Sequence, residues 1–342
     1  MHNLKLLTSK KRDAIVAMRK GETKFGERIR LIDNLTNIYE NISSLDVDYV
    51  IFGISEDIGV YANHGKPGTY RAFEAAIKVL LNTQTNAFIE AEKILVLGNL
   101  NYSEKQKELR KSSLSEKEKI DLARKMVEAI DKDVTYLVHN IIKAGKKPII
   151  IGGGHNNAYG NIKGSSLALN KTLNVINFDA HHDFRMLEGR HSGNGFNYAH
   201  HEGFLQNYFI FGLHENYISQ NSLETLNTTE GVNFNTFEAL EIRKELKFKS
   251  EIKKALKHIS DSEFGIEIDC DAIKNIPSSA KTPSGFSVTK TRRFIHAFGS
   301  HKNATYLHIC EAVPKKKTET QVGKLISYLI TDFLKAHANR NS

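Results

Sequence analysis

Short apolar runs rich in β-branched and aromatic residues alternate with longer helical stretches along most of this chain. Runs of this length and composition are typical of buried strands. Seven of them are apparent, at residues 49–52, 94–97, 148–151, 173–176, 208–211, 264–268 and 306–309. Because strands that alternate with helices usually pair in parallel, the sequence predicts an α/β fold, with three α/β/α layers and a largely parallel central sheet.

Two helices are well marked. One begins at a capping box formed by Ser115 and Glu118, carries apolar residues at steps of three and four, and stops at Gly145. The other has the same apolar spacing between Val322 and Leu334. Both patterns predict helices that pack one apolar stripe against the core.

The order of these elements predicts one domain. Residues 1–45 are charged and predict a mostly helical lead-in, packed on a single catalytic domain of residues 46–342. Within that domain, residues from about 102 to 115 are polar and predict a connector without strand character.

Composition argues against several classes of partner. The net charge is +9, but the lysines are scattered and no basic segment is interleaved with aromatic residues, so we expect no nucleic-acid binding. No apolar run is long enough to cross a bilayer, and the first residues lack the apolar core of a secretory signal. Cys270 and Cys310 are too few for a disulfide framework and fit buried thiols in a reducing compartment. We therefore expect a cytoplasmic protein with no membrane partner.

Metal-type ligands follow three of the predicted strands, and in open α/β sheets functional groups gather at the carboxyl ends of strands. Three glycines and His155 come after residues 148–151, and the glycines allow a tight turn that brings the imidazole to the sheet edge. A glycine turn beside a histidine is also common as a purely structural feature. This first motif is therefore weak when taken alone.

The second motif follows residues 173–176. The period of two in an extended segment puts Asp179, His181 and Asp183 on one face, while His182 points away as a packing or hydrogen-bonding residue. A solvated polar turn is the simpler alternative, but these side chains would repel one another unless a cation neutralised them. The pattern favours metal binding.

The third motif ends the run at 264–268, where Asp269 and Asp271 share a face and Cys270 points the other way. Two carboxylates aimed into one crevice are costly without a cation. Glu311 follows the last predicted strand and is a candidate for contact with a substrate.

Six ligands are too many for one tetrahedral zinc and suit two cations that share carboxylates: His155, Asp179, His181, Asp183, Asp269 and Asp271. Oxygen-rich ligation with two imidazoles favours Mn²⁺ over Zn²⁺, so we expect two Mn²⁺ per subunit. Four carboxylates balance the charge of two such ions and leave a shared water acidic enough to ionise near neutral pH.

In this order, Gly-Gly-Gly-His155, Asp179-Ala-His-His-Asp183 and Asp269-Cys-Asp271 resemble the three metal motifs of the arginase/agmatinase/formimidoylglutamase (ureohydrolase) family. Two further segments resemble the family's first strand with its loop and its closing glutamate motif, at residues 53–68 and 311–314. The resemblance covers the chain from about residue 46 to the C-terminus.

The resemblance implies an arginase-like fold, a binuclear manganese site at the sheet edge, a small-molecule substrate and a homo-oligomer. It also implies catalytic roles for two residues. Asp183 would hydrogen-bond the attacking water, and Glu311 would hold the cationic amidine or guanidine group of the substrate.

Substrate choice has to come from positions where family members differ. Arg185 stands where arginases carry an asparagine, as it does in formimidoylglutamases, and a guanidinium suits a substrate with two carboxylates. Phe196 stands where arginase keeps a proton-shuttling histidine, and the loop around it resembles the formimidoylglutamase loop. The likeness predicts hydrolysis of N-formimino-L-glutamate to glutamate and formamide, in histidine degradation, with substrate contacts from Arg185, Ser192, Asn194 and Glu311.

Three departures from the family pattern leave alternatives open. Asn194 and Gly195 replace the commoner Thr-Pro, Asn156 replaces an acidic residue, and residues 272–277 lack the usual Asp-Pro. One alternative is a guanidine-substrate ureohydrolase (arginase, agmatinase or guanidino-acid hydrolase) that releases urea, and another is a metal-binding family member without turnover. Arg190 either meets the second carboxylate of the substrate or lies in an exposed loop. No role is assigned to four other histidines, which are His191, His200, His201 and His214.

Overall fold

A computed structural model describes residues 2–338 of the 342-residue chain. It contains the strands β1 (Leu4–Leu6), β2 (Tyr49–Ser55), β3 (Ile94–Asn101), β4 (Lys147–Ile151), β5 (Leu173–Phe178), β6 (Leu205–Leu213), β7 (Val232–Thr236), β8 (Phe264–Asp269) and β9 (Ala304–Cys310). These strands form one sheet in the order β1-β3-β2-β4-β9-β8-β5-β6-β7. Neighbours pair in parallel except β1, which is antiparallel to β3.

Helices cover both faces of the sheet. They are α1 (Ser9–Ile15), α2 (Phe25–Arg28), α3 (Ile38–Ser44), α4 (Ile58–Ala62), α5 (Ala72–Leu80), α6 (Ser103–Lys111), α7 (Glu116–Lys143), α8 (Asn157–Leu169), α9 (Gly195–His201), α10 (Gln220–Thr228), α11 (Phe248–Ile259), α12 (Val288–Gly299) and α13 (Glu319–Ala338). One apolar core contains residues of α5, α11, α12 and α13, and a second contains residues of α3, α7, α8 and α9. The predicted three-layer α/β/α fold is confirmed.

All seven predicted strands are present, because central strands covered on both faces carry nearly continuous apolar runs. Every residue of β5 and of β9 is buried. The capping box also forms, since Ser115 accepts a hydrogen bond from the backbone of Glu118 and the Glu118 carboxylate accepts one in return. The long helix α7 then runs to Lys143, just before Gly145 with φ +74°.

The structure differs from the prediction in the lead-in and at the sheet edges. The lead-in contains β1 as well as short helices, and Leu4 and Leu6 are buried against the sheet. The edge strand β7 was also not predicted, because its polar residues interrupt the apolar pattern. The polar connector has no strand, as predicted, but most of it forms α6. None of the helices described is both long and apolar enough to span a membrane.

Candidate metal centre

The predicted ligands converge at one edge of the sheet. Strands β4, β9, β8 and β5 are adjacent, and their carboxyl ends lead into the segments that carry the six ligands and Glu311. The strand order departs from the chain order between β4 and β5, and such a switch point opens a crevice between neighbouring loops. The topology therefore places chemistry-bearing side chains from four loops around one crevice.

The glycine turn after β4 delivers His155. Gly152 and Gly153 have φ of +84° and +72°, a region that favours glycine. A Cβ at Gly153 would lie only 2.3 Å from Asn157 Nδ2. The turn thus needs glycine, and it leaves the His155 ring completely buried beneath the crevice.

Three carboxylates surround one nitrogen of the His155 ring. Nδ1 lies 2.9 Å from Asp183 Oδ2, 3.1 Å from Asp269 Oδ2 and 3.2 Å from Asp179 Oδ2. A ring nitrogen carries at most one proton, so it cannot satisfy three carboxylates. The ligand atoms of these four residues lie within 4.8 Å of one another, a set that fits a divalent cation.

His181 and Asp271 line the crevice beside this cluster. His181 Nδ1 lies 3.6 Å from Asp179 Oδ1, so the two oxygens of Asp179 face different histidines. Asp271 is held in place by hydrogen bonds from Ser279 Oγ at 3.1 Å and from the backbone N–H of Ala280 at 3.0 Å. The position of Asp179 between the two histidines fits a carboxylate shared between two cations.

The crowding of buried acids changes their pKa values. Burial, followed by repulsion from Asp179, raises the pKa of Asp183 and of Asp269. Burial also raises the pKa of Asp271. Burial acts in the same direction on Asp179, but hydrogen bonds with His155 and His181 outweigh it and lower its pKa. Ionisation of Asp183, Asp269 and Asp271 is thus disfavoured in the absence of added positive charge, and two divalent cations would supply that charge.

Two residues of the site have left-handed backbone conformations that are rare outside glycine. Asp183 has φ +44° and Glu311 has φ +59°, and a side chain in this region costs about 1–2 kcal/mol. Glu311 Oε1 accepts a hydrogen bond of 2.7 Å from the backbone N–H of His155. Its Oε2 has no hydrogen-bond partner among the described residues. Burial and repulsion from Asp271 raise the pKa of Glu311 to about 8.

A cavity of about 470 Å³ opens above these residues. Its floor is acidic, while its wall includes Arg185 and Ser192. Asn63 joins the two, because its Oδ1 accepts a hydrogen bond from Arg185 and its Nδ2 donates one to Ser192 Oγ, both at 3.2 Å. Asn63 lies in the segment 53–68 that resembles the family's first strand and loop, but its role in bracing Arg185 was not predicted.

The structure does not bring Asn194 to the cavity, in contrast to the expected substrate contact. Asn194 Oδ1 accepts a hydrogen bond of 2.6 Å from Arg190, and its Nδ2 donates to the carbonyl oxygens of Met186 and Gly189. These bonds use both ends of the amide. Asn194 therefore fastens the loop and lies outside the cavity wall.

Arg190 is buried, in contrast to both interpretations considered for it. It pairs with Asp131 at 2.8 Å, and its guanidinium packs against the rings of Tyr159 and Tyr198. Arg190 therefore anchors the loop from behind and does not line the cavity. His191 is equally buried, and its Nδ1 accepts a hydrogen bond from the backbone N–H of Gly193.

The remaining histidines differ in environment. His182 is buried and accepts a hydrogen bond from the backbone N–H of Phe184, but it also borders the cavity, whereas the sequence predicted that it points away. His214 stacks between Phe237 and Tyr217, and Tyr217 in turn stacks on the ring of His181. His200 lies near the carbonyl oxygen of Glu230, while His201 is exposed at the end of α9.

Sequence reasoning missed one buried acid and its partner. Glu267 and His308 are both fully buried beneath His155, and they contact each other. A glutamate in the middle of the apolar run at 264–268 was the available signal. Nothing local links it to His308, which lies 41 residues further along the chain.

Comparison with known proteins assigns the chain to a family and agrees with the fold. The model of the Arginase family matches residues 47–335, which is most of the chain. The chain therefore belongs to the arginase family. It is an arginase-family metallohydrolase, a class of enzyme that acts on C–N bonds.

Curated relatives include two formimidoylglutamases. The protein from Streptococcus gordonii is 31% identical over 177 residues, which is 49% of this chain and 47% of that protein. This chain thus matches about half the length of that relative. The protein from Macrococcus caseolyticus is 26% identical over 301 residues, which is 85% of each chain.

Solved structures share the fold. Formiminoglutamase from Trypanosoma cruzi with Mn²⁺ has a TM-score of 0.72 at 17% identity, covering 93% of this chain and 99% of that chain. Formimidoylglutamase from Bacillus subtilis has a TM-score of 0.73 at 18% identity, covering 94% of both chains. At these identities the likeness concerns the fold alone.

Proposed function

We propose that this protein hydrolyses N-formimino-L-glutamate, adding water across the formimino C–N bond and releasing glutamate and formamide. The observation that carries the proposal is the charge distribution of the cavity. Its floor holds Glu311 and the aspartates, whereas Arg185 stands in its wall, braced by Asn63. The substrate has the opposite distribution, a cationic amidine at one end and carboxylates at the other.

Glu311 is well placed to hold the amidine. Its Oε1 is already fixed by the backbone of His155, so its unpartnered Oε2 can accept a charge-assisted hydrogen bond from the substrate. At the other end, the Arg185 guanidinium can bind a carboxylate through paired N–H groups. We therefore assign substrate contacts to Glu311, Arg185 and Ser192.

The six ligands would hold two cations, with Mn²⁺ expected from their oxygen-rich character. When bound, such ions supply the positive charge that lets a water molecule ionise near neutral pH. The Asp183 carboxylate would take the proton of the attacking water and pass it to the departing glutamate nitrogen as the C–N bond breaks. The formimino carbon keeps the added oxygen and leaves as formamide.

Hydrolysis of a guanidine substrate to urea is the alternative within the family. Arginases use acidic residues after the strand that follows the second metal motif to meet the substrate's α-amino group. In this chain that strand is β6, and Glu215 is the acid that follows it. Here both oxygens of Glu215 pair with Arg243, at 2.7 and 2.9 Å, and the residue lies outside the cavity wall. Glu215 is thus already engaged, which disfavours an α-amino contact.

A product assay tests the proposal. Purified protein loaded with Mn²⁺ is given N-formimino-L-glutamate, arginine, agmatine and a guanidino acid in parallel, and formamide and urea are both measured. We expect formamide from the first substrate and little urea from the others. Urea from any guanidine compound without formamide would establish the alternative, and no product from the whole panel would favour a metal-binding protein without turnover.

A further inference from the structure

A buried carboxylate lies directly behind the proposed metal ligand His155. Glu267 is fully buried within β8, and its Oε2 lies 3.4 Å from Nε2 of His155. The other oxygen, Oε1, accepts a hydrogen bond of 2.8 Å from the hydroxyl of Tyr306. A charged side chain in a strand covered on both faces is costly unless it is paired, so these contacts are what make Glu267 tolerable.

The two nitrogens of the His155 ring face different groups. Nδ1 faces the carboxylates of Asp179, Asp183 and Asp269, whereas Nε2 faces Glu267. Among residues 2–338, Nε2 has no hydrogen-bond partner, and the Glu267 carboxylate at 3.4 Å is the acid that faces it. To bind a cation through Nδ1, the ring must carry its proton on Nε2, and a carboxylate opposite that proton fixes both the tautomer and the ring orientation.

His308 braces this carboxylate. Its Nδ1 contacts Glu267 Oε2, and its Nε2 lies 3.2 Å from the carbonyl oxygen of Gly152. Gly152 belongs to the turn that delivers His155, so the contacts run from that turn through His308 and Glu267 back to the His155 ring. All the side chains in this path are fully buried, which restricts their movement.

We propose that Glu267, braced by His308, is a positioning residue that holds the Nε2 proton of His155 and directs Nδ1 towards the cation site. This inference rests on the proposed metal site but not on the identity of the substrate. The experiment is therefore a metal-binding measurement, which does not depend on turnover.

The test compares variants by the Mn²⁺ dissociation constant, measured on metal-free protein from the free-ion electron paramagnetic resonance signal. We expect Glu267→Gln to weaken Mn²⁺ binding about 10- to 100-fold, the usual effect of losing a group that orients a ligand. Glu267→Asp keeps the charge but withdraws it by one methylene group, so it should weaken binding less. It also tests the inference if the glutamine variant does not fold.

Tyr306→Phe is the matched control. It removes a buried hydrogen bond to the same carboxylate, but from Oε1, the oxygen that faces away from His155. We expect a lower thermal midpoint with an unchanged Mn²⁺ dissociation constant. Equal weakening by Tyr306→Phe and Glu267→Gln would show general loosening and overturn the inference.

Three other results would also contradict it. A folded Glu267→Gln variant that binds Mn²⁺ as tightly as the parent would exclude the positioning role. Ligand atoms of His155, Glu267, His308 and Cys310 also lie within 4.8 Å of one another, so a third ion that is lost in Glu267→Gln would make this cluster a metal site itself. A parent protein that binds no Mn²⁺ would remove the metal site and this inference with it.

Discussion

Arg185 is the residue on which substrate choice most depends. Its guanidinium is held by Asn63 at the cavity wall and lies 3.7 Å from Glu188 Oε1, but it is half exposed, so a substrate carboxylate can reach it. We predict that Arg185→Gln raises the KM for N-formimino-L-glutamate about 10- to 100-fold with a smaller change in kcat. A hydrogen bond to a charged group contributes roughly 1.5–3 kcal/mol, which corresponds to that range. Steady-state kinetics on the variant give the answer.

Arg243→Gln is the matched control for this prediction. It removes another guanidinium, one that pairs with Glu215 outside the cavity wall, and it should leave the KM unchanged. An unchanged KM for Arg185→Gln, or an equal rise in both variants, would contradict the assignment of Arg185 to a substrate carboxylate.

His191 should make the protein sensitive to acid. Burial, followed by the positive charge of Arg185, lowers the pKa of His191 from its ordinary 6.5 to about 3. Between these values the unfolded chain takes up a proton that the folded chain does not. The free energy of unfolding therefore falls as the pH drops through this window, and His191 has no such effect above it.

Replacing this histidine should flatten the acid dependence. We predict that His191→Gln reduces the slope of unfolding free energy against pH, between pH 6 and 4, by up to about 1.4 kcal/mol per pH unit. Urea unfolding at a series of pH values measures the slope. His201→Gln, at an exposed position, is the control and should leave it unchanged. An identical slope in parent and His191→Gln would refute the prediction.

Single residues also show where sequence reasoning succeeds and where it stops. The period of two predicted that Asp179, His181 and Asp183 lie on one side, but β5 ends at Phe178, and His182 borders the same cavity as His181 and Asp183. The surroundings of Asn194 could not be predicted, because they depend on Arg190 and through it on Asp131, which lies 59 residues away from Arg190. Contacts between distant parts of the chain leave no trace in local spacing.

At the scale of elements, apolar composition predicted the central strands because both of their faces are covered. The edge strands β1 and β7 were missed for the converse reason, since β1 has only three residues and β7 is mostly half buried. The four loops at the carboxyl ends of the central strands carry the site. Parallel pairing of the strands was enough to predict that these loops lie at the same edge of the sheet.

The helix α7 offers a test at this scale. Ser115 satisfies a backbone N–H at the start of the helix, so Ser115→Ala should lower the free energy of unfolding by about 1 kcal/mol, within a range of about 0.5–2 kcal/mol. Chemical denaturation measures the change. Ser113→Ala, at an exposed position two residues earlier, is the control. Equal stability of the two variants would show that the capping box does not stabilise the helix.

At the scale of the whole molecule, the fold brings together residues from four loops that span more than a hundred positions of the chain. Sequence could predict this convergence because β4, β9, β8 and β5 are all central and parallel. It could not predict which side chains brace the site from beneath, since Glu267 and His308 meet only through strand pairing. The central claim is that six convergent side chains hold two divalent cations.

Anomalous diffraction at the manganese edge, from crystals grown with Mn²⁺, tests this claim most directly. We predict two manganese peaks in the crevice, one bound by His155 and Asp183 and the other by His181 and Asp271, with Asp179 and Asp269 contacting both. A crevice without manganese, or a single ion held instead by Glu267, His308 and Cys310, would contradict the claim.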